Sequence, residues 1–146
     1  IRELANDEAA YRSLTLSWFE HSPLLDVLKW LSQRQVRVII TTDHGTIRVK
    51  KPSQIVGDRS THTNMRYQPG KNLNYQEKDV FVIKNPHEAQ LPKLNVSSTY
   101  VFAKDDAYFV YPNNYNHFVN HFNGTFQHGG ISLEEMIVPF ASYIPK

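Results

Sequence analysis

Two hydrophobic periods divide the chain. From Leu4 to Phe19, Tyr11, Leu14, Trp18 and Phe19 recur at spacings of three, four and one behind the acidic pair Asp7-Glu8, which predicts an amphipathic helix. Ser22-Pro23 then supplies an N-cap and a first-turn proline, and Leu24, Leu25, Leu28 and Leu31 form a stripe running to about Arg34, a second helix. The pattern changes at Val36-Arg37-Val38-Ile39-Ile40, where β-branched residues crowd together as in a strand buried on both faces. Thr46 to Lys50 alternates as a short strand expected to stop at Pro52. Ser53 to Gln76 has little periodicity and reads as a long loop. Phe81-Val82-Ile83, Thr99 to Phe102 and Tyr108 to Tyr111 are strand candidates, the last two joined by a turn at Asp105-Asp106. Tyr115 to Phe122 predicts a helix ending near Asn123-Gly124, Ser132-x-x-Glu135 a capping box for a helix through Met136, and a last apolar segment follows Pro139 to Ile144. Helices that precede a buried strand, itself ending in polar residues, give the pattern of an α/β protein.

Composition narrows the chemistry. With 146 residues and 40% hydrophobic content, a single domain is expected. The chain has no cysteine, so disulfides and thiol nucleophiles are excluded, and His, Asp and Glu remain as metal ligands. A net charge of +2 is too small to announce a nucleic-acid binder. No apolar run is long enough to span a bilayer and no secretory signal is visible, so a cytoplasmic location without membrane attachment is expected. The first residue is Ile1, which suggests a start within a longer protein.

The candidate chemistry lies in histidines. Asp43-His44-Gly45 closes the β-branched run, where α/β proteins commonly deliver functional groups. His128 stands before Gly129-Gly130 in a second glycine corner. If the two corners meet, a carboxylate and two imidazoles form a mixed site suited to a divalent metal. His117-x-x-x-His121 has the helical spacing of a zinc pair but lacks the following glutamate, and its interleaved Phe118 and Phe122 equally fit a packed aromatic helix. Asp58-x-x-x-His62 has a ligand spacing that also arises by chance.

Thr41-Thr42-Asp43-His44-Gly45 resembles the Thr-x-Asp-His-Gly signature of the alkaline phosphatase superfamily, and Phe126 to Pro139, with its His128-Gly129-Gly130-Ile131-Ser132 core, resembles the closing motif. The stretch from Gly57-Asp58-Arg59 through Asn64-Met65-Arg66-Tyr67 to Gly70-Lys71-Asn72-Leu73 further resembles the PglZ domain of PorX-type response regulators, which are linked to type IX secretion. The resemblance implies an α/β fold with a central, mostly parallel sheet flanked by helices, of which residues 1–146 are the carboxyl-terminal part. It implies a phosphodiesterase or phosphatase with two metals, usually zinc; Asp43 and His44 would hold one and His128 the other. It also implies a phosphate-ester substrate, such as a nucleotide or oligonucleotide, and a sensor kinase as partner. Arg59, Arg66 and Lys71 are the expected phosphate contacts, by the fit of cationic side chains to phosphate oxygens.

The chain departs from the pattern in one respect. The superfamily places an aspartate, a Thr or Ser nucleophile and an Asp-x-x-x-His pair ahead of the Asp-His corner, and the 42 residues before Asp43 contain no Asp-x-x-x-His. No catalytic nucleophile is therefore assigned within the chain, which is expected to be inactive alone. An interaction or dimerisation module is the alternative, and self-association is expected at the edge of an incomplete sheet.

Overall fold

The computed structural model describes residues 4–57 and 64–145. The chain packs as two compact units, Ile1–Asp43 with Ile137–Lys146, and His44–Met136.

In the first unit, α1 (Glu8–His21) starts at Asp7, whose carboxylate accepts the Ala10 amide at 2.8 Å. α2 (Pro23–Ser32) follows at once. Ser22 precedes it as foreseen, but its hydroxyl donates back to the Phe19 carbonyl instead of capping α2. β1 (Val38–Thr41) pairs antiparallel with the last strand of the chain, Thr41 lying opposite Phe140. The expectation of a strand buried on both faces is corrected here: Ile39 is 54% exposed, because nothing in this unit covers that face. Among the described residues of the unit, Ala5 and Ser22 alone are buried. The helices carry apolar stripes without burying a single residue.

The second unit holds the core. Its strands are β2 (Ile47–Arg48), β3 (Lys51–Val56), β4 (Tyr67–Gly70), β5 (Asn74–Tyr75), β6 (Val80–Ile83), β7 (Thr99–Ala103), β8 (Ala107–Val110) and, after helix α3 (Tyr115–Phe122), β9 (Phe126–Gln127); helix α4 (Leu133–Met136) closes it. β10 (Phe140–Tyr143) is the partner of β1 in the first unit. The sheets run β5-β3-β8, β4-β7-β6 and β2-β9. The mixed α/β class is as expected. Among the described pairs only β3 and β8 are parallel, since most connections here are short and a parallel pair needs a long crossover.

β8 organises this unit because both its faces are buried. Phe109 points into one cluster with Ile55, Val80, Val101 and Ala103; Tyr108 and Val110 point into another with Val49, backed by Phe118, Val119 and Phe122 of α3. Pro52 does not stop its strand as expected. β3 pairs with β8 over Lys51–Gln54 and with β5 only at Ile55 and Val56, so one side of the strand is unpaired at Pro52. The supposed long loop of 53–76 instead supplies most of β3, all of β4 and all of β5.

Candidate functional site

Two glycine corners meet in the second unit. The Gly45 amide donates to the Glu135 carbonyl at 2.9 Å, and a Cβ on Gly45 would overlap the Glu134 carbonyl oxygen. Only glycine permits that approach. The contact draws His44 to the His128 corner, and the two imidazoles stack with centroids 3.9 Å apart and planes 11° from parallel. His44 Nδ1 lies 2.8 Å from the Gly45 carbonyl. Because a carbonyl only accepts, Nδ1 is the donor in this contact, and in a neutral ring that leaves the lone pair on Nε2.

The His128 corner is held from beneath by a buried ion pair. Arg66 Nε and Nη2 donate to the two oxygens of Glu135 at 2.9 and 2.8 Å. Both side chains are fully enclosed, and Arg66 Nη1 also donates to the Ala107 carbonyl on β8. Glu135 accepts the Gly130 amide at 2.9 Å and the Ser132 amide at 3.2 Å, the latter being the glutamate half of the foreseen capping box. A Cβ on Gly130 would come within 2.5 Å of a Glu135 oxygen, so the second glycine of the corner leaves room for the ion pair. Asn64 works on the other side. Its Oδ1 accepts the Arg66 and Tyr67 amides, and its Nδ2 donates to the His128 carbonyl at 3.2 Å. Gly129 adopts φ +101°, where a side chain would also strike Asn64.

Burial alone would raise the Glu135 carboxyl. The hydrogen bond and charge of Arg66 and the amide of Gly130 outweigh it, and the group is held below its ordinary range. Asp79, buried at the foot of β6, shows the same balance: burial raises it, and its bond to Lys51 prevails.

The family of the BREX system PglZ alkaline phosphatase-like domain matches residues 2–143. The chain belongs to this family. Its fold is accordingly that of a phosphatase-like domain, and the two corners are the segments whose sequence carries the superfamily resemblance. No curated protein matches this PglZ chain.

The expected site residues fare differently in the PglZ structure. His44 and His128 are brought together. Asp43 immediately precedes His44, is exposed, and accepts from the Thr42 hydroxyl at 3.3 Å. Arg66, expected at a phosphate, is instead fully buried, with its guanidinium engaged by Glu135 and Ala107. Lys71 is exposed in the turn between β4 and β5. Arg59 lies outside the described residues, as do Asp58 and His62. His117 and His121 are exposed on α3, their near-parallel rings 6.3 Å apart. The sequence reading missed the Arg66–Glu135 pair. Its one signal was Glu135 in the capping pattern, which gave no hint of the buried cation beneath.

Proposed function

We propose that this PglZ chain supplies part of a two-metal centre for phosphate-ester hydrolysis, with His44 and His128 on different ions. The stacking of the two imidazoles carries the reading. The stack brings the two rings to 3.9 Å of one another, so both imidazoles could serve as ligands at this corner, one to each ion of a two-metal centre. The His44 tautomer agrees, since Nδ1–H bonded to a backbone carbonyl is the usual support for ligation through Nε2. Zinc is the ion we favour, with Asp43 as co-ligand of His44 by family resemblance. Bound metal would polarise the phosphoryl group and lower the pKa of an attacking oxygen.

The donor set is chemically suitable and numerically short. Among the described residues no cluster of three or more His, Asp, Glu or Cys side chains could hold a metal. By the family resemblance, the remaining ligands and the nucleophile would come from outside this chain, which would be inactive alone. The exposed apolar surface of the first unit supports that incompleteness. The same surface also favours the second reading, a dimerisation or partner-binding module. The finer setting is an output domain of a PorX-type response regulator controlling type IX secretion, cytoplasmic and paired with a sensor kinase. It rests on the resemblance of the Gly57–Leu73 stretch.

Calorimetric titration of metal-stripped chain with zinc tests the centre. His44→Ala and His128→Ala should each weaken uptake at least about ten-fold, the range seen when a ligand or its support is lost. A His117→Ala/His121→Ala variant controls for the surface pair. Equal zinc uptake by the His44 and His128 variants and the unaltered chain would remove the metal reading. Chelator-sensitive hydrolysis of a nitrophenyl phosphodiester by the chain alone would overturn its inactivity.

A further inference from the structure

Helix α3 has two unlike faces. Tyr115, Phe118, Val119 and Phe122 pack on the cluster of Val49, Tyr108 and Val110, and the Tyr108 hydroxyl donates to the Val119 carbonyl at 3.4 Å. Just past the helix, the Gly124 amide donates to the Val49 carbonyl at 2.7 Å, so α3 is fixed on the body of the second unit. The open face carries His117 and His121, both exposed and four residues apart. Their rings are aligned by the phenyl groups beside them. Phe118 and Phe122 lie near-parallel, with centroids 6.2 Å and planes 11° apart. His117 meets Phe118 edge-on at 5.6 Å and 72°, and His121 meets Phe122 at 4.6 Å and 88°. Two parallel phenyl rings thus set two parallel imidazoles, whose planes differ by 8° and whose centroids are 6.3 Å apart.

We propose that His117 and His121 form a two-imidazole chelate for a borderline divalent transition ion, copper(II) ahead of zinc, separate from the His44–His128 pair. Three observations favour this over a merely solvated helix face. Residues four apart on a helix hold their Cβ atoms about 5–6 Å apart on one side, so a nitrogen of each exposed ring can turn onto one ion at the usual distance of about 2.0–2.1 Å. The buried face holds α3 in place, so binding does not have to order the backbone. Among the described residues neither imidazole has a hydrogen bond or ion pair, and the helix carries no carboxylate, so both rings exchange only water for metal. Imidazole donors suit copper(II) and zinc, and copper(II) stands highest in the divalent series. Two protein donors leave the other positions to water, so the ion is exchangeable.

The test is a heteronuclear NMR titration of metal-stripped full chain with Cu2+ and, separately, Zn2+. Sub-stoichiometric Cu2+, which is paramagnetic, should broaden the His117 and His121 resonances before those of His21 and His87, exposed histidines elsewhere, and Zn2+ should shift them at higher concentration. His117→Ala should weaken the α3 response at least about ten-fold, as loss of one of two ligands requires. Asn116→His/His117→Ala keeps two exposed imidazoles but sets them five residues apart, off a common face, and should be as weak as His117→Ala. Each substituted position is exposed and alanine favours a helix, so folding is spared. Resonances of α3 that respond no earlier than His21 and His87, or an undiminished response in Asn116→His/His117→Ala, would show a solvated helix face and overturn the chelate.

Discussion

Glu135 concentrates the interactions of the His128 corner, taking two bonds from Arg66 and two from backbone amides. Glu135→Gln keeps the shape and removes the charge, leaving Arg66 buried and uncompensated. A loss of about 3–5 kcal/mol is expected, measured by urea unfolding. The pH dependence follows from the depressed carboxyl. Its folded pKa lies below the unfolded one, so its contribution is fully present above the ordinary carboxylate range and is lost as pH falls through that range toward the folded value. Unaltered chain should lose stability on acidification to about pH 3, and Glu135→Gln should lose less over the same window. An identical acid slope in the two proteins would show that this pair does not titrate as described. The residue scale also marks where sequence reading failed. Arg66 was expected at a phosphate because a guanidinium fits phosphate oxygens; its burial depends on a glutamate 69 positions away.

At the scale of elements, two strands of similar composition have opposite fates. β8 is buried along its whole length, whereas β1 alternates between half-buried and exposed positions. Phe109→Ala in β8 should cost about 3–5 kcal/mol by removing a ring from a closed cluster. Ile39→Ser in β1 should stay within about 0.5 kcal/mol, because its side chain already meets solvent in this chain. Thermal unfolding of both variants checks the contrast, and a large loss at Ile39 would mean that its face is covered in solution. The helices were legible because their signals are local: Asp7 caps α1, Pro23 opens α2, and Tyr115–Phe122 forms as the spacing predicts. Strand pairing was not, since Pro52 in β3 and the whole of β4 depend on neighbours remote in sequence.

For the whole molecule, the two units differ in how they satisfy their apolar residues. The second closes two clusters around β8, while the first leaves Trp18, Trp30 and Phe140 at 51%, 52% and 71% exposure. Such surface favours association. Sedimentation velocity should show a mass that rises with concentration, and acrylamide quenching of the two tryptophans, both in the first unit, should weaken in parallel. A constant monomer mass with unchanging quenching would count against self-association. Among the described residues, no helix is long and apolar enough to cross a membrane.

The sequence by itself determined the elements whose causes are local: the helices of the first unit and α3, the turn at Asp105-Asp106, and two glycine corners whose residue types carry the family resemblance. It also marked His44 and His128 as partners across more than eighty positions. Only the tertiary structure decided that Gly45 would approach the α4 backbone closely enough to stack the two imidazoles, and that Arg66 would serve Glu135 beneath them. The physical reason is the range of the interactions. Caps and turns are settled within a few residues, whereas a buried charge or a ring stack takes its energy from groups that meet only once the chain has folded.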